Sequence, residues 1–118
     1  MRYLLLIYSE EPTAPSAQDE IDASMAEWYA YDQAIKDSGV HLAGEALQAS
    51  QTATTVRLKD SERVVTDGPF AETREVLGGF YLIDVPDLDT ALDWAARCPG
   101  AKYGSMEVRP VMEFESPQ

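Results

Sequence analysis

Histidine and cysteine are nearly missing from this sequence, at one residue each, and lysine and arginine together number only nine. Each scarcity excludes something. A lone Cys98 allows no intramolecular disulfide. Only Arg97 stands beside it with a positive charge, so Cys98 reads as a small packed residue rather than a nucleophile. One histidine, one cysteine and scattered acids give no cluster at metal-ligand spacing, so no metal is expected. The nine cations face 21 carboxylates, which leaves a net charge of -12. Such a chain repels nucleic acid at long range, and it has no polybasic patch for a membrane. Its acidity reads as a solubility feature, or, more sharply, as a surface for a basic protein partner.

Long apolar runs are also absent, and none approaches transmembrane length. Arg2 and "YLLLIY" imitate the start of a signal peptide, but the run is too short and polar "SEEP" follows at once. A cytoplasmic chain is expected. No "GxSxG" and no Walker loop occur. Gly78-Gly79 lacks the further glycine and the helix that dinucleotide binding requires. The pair instead predicts a bulge or a close backbone approach. No organic cofactor is implied.

What remains is an ordinary globular composition, 45% hydrophobic and 25% charged, over 118 residues. That length is one domain, residues 1–118, with room for a core. Residues 2–8 are apolar on both faces, as in a strand covered on both sides. "SEEPTAPSAQ" breaks the strand. Ser16 and Asp19 resemble a capping box, which predicts a helix from near Ala17. Ile21, Met25, Trp28 and Ile35 fall on one stripe of it, and Gly39 ends it. "VHLAGEALQ" predicts a second strand from Val40. "ATTVRLKDSERVVT" predicts a hairpin turning at Lys59 to Glu62. "VLGGFYLIDV" is a further strand, stopped by Pro86. Asp87 is placed to cap a second helix with Leu88, Ala91, Leu92 and Ala95 on one face. Pro99-Gly100 ends that helix, "SMEVRPVMEF" is the last strand, and "ESPQ" is a frayed tail.

The order is β-α-β, an inserted hairpin, then β-α-β. Two such split halves predict a ferredoxin-like α+β sandwich. Two helices then cover one face of the sheet. The other face stays open and apolar in either register of the first strand, which predicts a homodimer packed sheet on sheet.

The candidate site residues are few. "DGPFAETRE", Asp67 to Glu75, joins the hairpin to the next strand. It reads as a turn anchored by Phe70, or as a rigid loop presenting Asp67 as general base or hydroxyl acceptor. Glu72 and Arg74 either orient Asp67 or pair on the surface. Asp32 interrupts the apolar stripe of the first helix, four residues after Trp28 and three before Ile35. It lies at a wet edge, or it is a site carboxylate seeking a donor. Tyr29 and Tyr31 flank the stripe and supply hydroxyls. His41 shares a predicted strand face with Ala43 and Glu45, either as an acid-base pair or as an edge residue. Glu107 and Arg109 share a face of the last strand, and a structural ion pair with a neighbouring strand is preferred to an anion site.

"MRYLLLIY", "AGEALQ", "TATTVR", "VTDGPFAETREVLGGFYLIDV", "ALDWAAR" and "YGSMEVRPVMEF" together resemble the DGPF-domain proteins of the YCII-related superfamily. The similarity covers nearly the whole chain. It implies a dimeric α/β-barrel of ferredoxin-like protomers in the bacterial cytosol. Members are often encoded near, or fused to, extracytoplasmic-function sigma factors, and their activity is not established. Asp67, Gly68, Pro69 and Phe70 match the signature loop. Better-studied relatives place a His-Asp pair in a pocket. Their histidine matches Trp28 here, one turn before Asp32, and this helix has no histidine.

Two functions follow as expectations. The first is an enzyme-like pocket for a small polar ligand. Asp67 is its base or acceptor, Asp32 assists, and Trp28, Tyr31, Gly68, Pro69, Phe70 and Glu72 line it. The second is a non-catalytic interaction module for a sigma-factor-related protein. A structural dimer fastened by the signature loop is a third, plainer outcome.

Overall fold

A computed structural model describes residues 1–114 of the chain. The "ESPQ" tail lies outside the described residues. Four strands form one antiparallel sheet: β1 (Arg2–Ser9), β2 (His41–Ala46), β5 (Val76–Asp84) and β6 (Ser105–Pro110), in the order β2-β5-β1-β6. Strands β3 (Thr54–Lys59) and β4 (Glu62–Asp67) form a separate two-stranded hairpin. The helices are α1 (Gln18–Asp37), α2 (Leu88–Arg97) and a short α3 (Pro99–Tyr103). With the hairpin set aside, the sheet order is that of a ferredoxin-like α+β fold. The sheet is open at β2 and β6, and one chain closes no barrel among the described residues.

Alternation along β1 decides the two faces. Tyr3 and Leu5 are buried, opposite Ile83 and Tyr81 of β5. Together with Ile35, Val85, Ala91, Ala95 and Cys98 they make the core under the helices. Leu4, Leu6, Phe80 and Leu82 project to the other face and are only half-buried. Asp87 caps α2 as its position predicts: its carboxylate accepts from the Thr90 amide at 2.9 Å. Gly39 closes α1 with φ at +83°, a conformation glycine adopts without strain.

Several expectations are corrected. No side chain caps α1 at Ala17, so Ser16 and Asp19 form no capping box. The buried stripe of α1 is Tyr31 and Ile35 with Trp28 beside them, while Ile21 and Met25 lie exposed. The helix overhangs the sheet at its N-terminal half. Leu88 and Leu92 are exposed as well, so Ala91 and Ala95, with Trp94 packed beside them, seat α2. Pro99 and Gly100 do not simply end a helix but begin α3, with proline at a first-turn position where no amide is needed. An irregularity between His41 and Ala43 turns His41 to the helix side, against the Tyr81 ring at 5.9 Å. Ala43 and Glu45 oppose Leu82 and Phe80 on the other face, so the expected His41–Glu45 pair does not share a face. Arg109 pairs with Glu107 of its own strand at 2.5 Å, not with a neighbouring strand.

Candidate functional site

The sheet beneath the middle of α1, from Met25 to Asp32, carries small residues at several positions. Gly79 of β5 stands opposite Ile7 on one side and Ala46 on the other, and Gly44 stands opposite Tyr81. All belong to the helix side, where a leucine or valine would normally seat the helix. A Cβ on Gly79 would come within 2.8 Å of the Glu45 carbonyl oxygen, and one on Gly44 within 2.9 Å of the Tyr81 ring. Close strand approach therefore requires glycine at both positions. Gly78 is the extra residue where the β1–β5 register slips, the bulge that Gly78-Gly79 predicts.

The missing side chains leave a cleft of about 600 Å³ between α1, β1, β2 and β5. Its α1 wall is Met25, Trp28, Tyr29 and Asp32, and its floor runs from Gly44 to Ala46 and from Gly78 to Tyr81. The size suits a small organic molecule. Trp28 is fixed by packing: its ring tip reaches Gly100, where a Cβ would lie 3.4 Å away.

Asp32 is the carboxylate of the α1 wall. Its Oδ2 pairs with Lys36 Nζ at 2.8 Å, one helical turn on. Its Oδ1 accepts the Tyr81 hydroxyl at 3.1 Å. The Lys36 partner holds the Asp32 carboxyl below its ordinary range, and the Tyr81 hydrogen bond acts in the same direction against partial burial. Burial first, and the Asp32 charge second, push the Tyr81 phenol upward. At neutral pH the pair is thus an ionised acceptor beside a neutral donor. Asp32 can accept from a ligand hydroxyl, whereas the single Tyr81 proton is already given to Asp32 and reaches a ligand oxygen only when that bond is released.

Among the expected site residues, Trp28 and Asp32 meet in this cleft. Tyr31 does not: it turns inward, donates its hydroxyl to the Trp94 carbonyl at 2.8 Å, and meets the Tyr81 ring edge-on at 5.5 Å. It borders a second, shallower groove with Arg97, Cys98 and Lys102. Burial raises the Cys98 thiol there to about 11, consistent with a packed cysteine. Asp67, Gly68, Pro69, Phe70 and Glu72 are not among the cleft's lining residues. Asp67 ends β4 opposite Thr54 and is exposed, with no side-chain hydrogen bond or ion pair among the described residues. The turn is closed by backbone instead. Gly68, at φ +94°, donates its amide to the Ala53 carbonyl at 2.7 Å and accepts from Thr55 Oγ1 at 2.9 Å. Arg74 pairs with Glu10 rather than with Asp67 or Glu72.

Tyr81, Lys36 and the glycine floor were missed from sequence. The Asp32–Lys36 spacing of four was a visible signal. Tyr81 was not visible, because only the β2–β5 and β1–β5 registers place it under Asp32.

The described residues hold no group of histidine, cysteine and carboxylates able to bind a metal ion. No helix among them is long and apolar enough to cross a membrane. Comparison with known proteins adds three findings. A family model described as YCII-related domain matches residues 1–115. An uncharacterized protein of Rhizobium meliloti (strain 1021) is 39% identical over 118 residues, covering 98% of this chain and 95% of that protein. A 5-chloro-2-hydroxyhydroquinone dehydrochlorinase from Burkholderia phenoliruptrix, solved with 2,5-dihydroxybenzoquinone, aligns at a TM-score of 0.53 and 17% identity, over 97% of this chain and 96% of that one. At that identity the likeness is one of fold.

Proposed function

This chain belongs to the YCII-related family, and on that footing we propose that it is an enzyme-like protein whose cleft binds a small, flat, hydroxyl-bearing ligand. The observation that carries the reading is Asp32, ionised and shared between Lys36 and Tyr81, in a glycine-floored cleft beside Trp28. A ligand hydroxyl takes the place of the Tyr81 phenol on Asp32 Oδ1, and the phenol proton so released turns to a carbonyl or a second oxygen of the ligand. Trp28 offers its face to a planar ring. A depressed carboxyl is a weak general base in the free protein, so proton abstraction suits a ligand whose own hydroxyl is acidic. The structural neighbour supports this ligand class, since 2,5-dihydroxybenzoquinone is planar and carries acidic hydroxyls. Asp67 enters this reading as the carboxylate of the signature loop, separate from the cleft. Two copies pair through the open sheet faces, giving the dimeric barrel.

Thermal denaturation with a panel of hydroxylated quinones and phenols tests the reading. A ligand at about 100 times its dissociation constant stabilises by about 2.7 kcal/mol. The parent and Asp67→Asn should both show a raised melting point, and Asp32→Asn should not. No shift in the parent with any member, or an equal shift in Asp32→Asn, would overturn it.

A further inference from the structure

The β3–β4 hairpin is a two-stranded arm that nothing among the described residues covers. Val56, Leu58 and Val65 share one face of it by register, at 59%, 77% and 57% exposure, and Phe70 at its root is 78% exposed. An isolated hairpin of this kind is marginally stable in water. The molecule measures 52 × 47 × 18 Å, so its short dimension leaves no room for the arm to fold over either sheet face. Its radius of gyration is 16.9 Å, against about 13.5 Å for a compact chain of this length. Its accessible surface is 8906 Å², against about 6,300 Å² for a compact monomer of its mass. The excess, about 2,600 Å² per chain or about 5,200 Å² for two, reaches the upper end of the total area that obligate dimers bury.

We infer that the β3–β4 arm is a docking element for a second copy of this chain, laying the Val56, Leu58 and Val65 face on the partner's body. Charge selects the same occupant. Of the arm's basic residues Arg63 shares the Val56, Leu58 and Val65 face by register, while Arg57 and Lys59 lie on the opposite face, and no carboxylate pairs with any of the three among the described residues. With Asp60, Glu62 and Asp67 they leave the arm neutral, so the net charge of -12 belongs to the rest of the chain. A neutral arm that presents Arg63 meets an acidic body with less repulsion than two bodies meeting each other. The inference goes beyond the sheet-on-sheet pairing above, because the arm lies outside that sheet.

Sedimentation equilibrium on the parent, on Leu58→Lys/Val65→Lys in the arm, and on Leu4→Lys in the sheet face tests it. The parent should be a dimer. The arm variant should dissociate about 100-fold or more readily, as loss of apolar anchors does, with its circular dichroism unchanged. Leu4→Lys alone reports the sheet pairing, so failure of that pairing is distinguished from failure of the arm. Hydrogen exchange of the β3–β4 amides in the parent is independent of any variant's folding. They should be protected in the dimer and lose protection on dilution. A monomeric parent, an arm variant that dimerises like the parent, or arm amides unprotected in the dimer would each overturn the inference.

Discussion

Asp32 divides its two oxygens between unlike partners, an ammonium at 2.8 Å and a phenol at 3.1 Å. Lys36 is the larger cause of the lowered carboxyl pKa. Lys36→Gln should therefore raise the Asp32 pKa more than Tyr81→Phe does, in a carboxyl-carbon NMR titration against pH. Equal shifts would contradict that ranking. A depressed carboxyl stabilises the fold above its unfolded pKa, and that stabilisation fades as pH falls through the lower, folded value. The parent should thus lose stability on the acid side, and Lys36→Gln should lose less of it there, as read by melting points between pH 7 and 3. The side chain is partly exposed, so the effect is small. Asp32 was legible in the sequence because a charge broke an apolar stripe. Its partner Tyr81 was not, since it is 49 residues away and the contact is made by folding alone.

Strand β5 and the Asp87 cap of helix α2 are legible in the sequence because their signals are local. Asp87 accepts from both the amide and the hydroxyl of Thr90, which lowers its pKa. Asp87→Ala should lower the melting point at pH 7. Asp87→Asn should keep most of the cap and lose the acid-side pH dependence that the charge confers. Helix α1 was read less well. Its apolar stripe spans more length than the sheet can cover, because Gly44, Ala46 and Gly79 leave nothing for Ile21 and Met25 to pack against. The same small residues make the cleft. Gly79→Ala would press its methyl onto the Glu45 carbonyl and should destabilise the β2–β5 pairing by about 1–3 kcal/mol in urea denaturation. The His41 face was lost to one irregularity between His41 and Ala43, since a slip of one residue reverses a strand's sides.

At the scale of the whole molecule, the sheet order and the inserted hairpin follow from hydrophobic periodicity and turn residues. Asp60 and Ser61, both at positive φ, make the tight hairpin turn within the predicted Lys59 to Glu62 span. The "DGPF" stretch is legible as a turn, and its backbone closes the root of the arm. The cleft lies elsewhere, under the overhang of α1, and no local pattern announces a hollow defined by side chains that are absent. The central claim is that this hollow is the ligand site. A two-dimensional NMR titration with 2,5-dihydroxybenzoquinone as the probe tests it most directly. Shifts are expected at the Trp28 indole and the Gly44, Gly79 and Tyr81 amides, with their loss in Asp32→Asn. Shifts confined to the β3–β4 arm or the groove beside Arg97, or none at saturating probe, would contradict it.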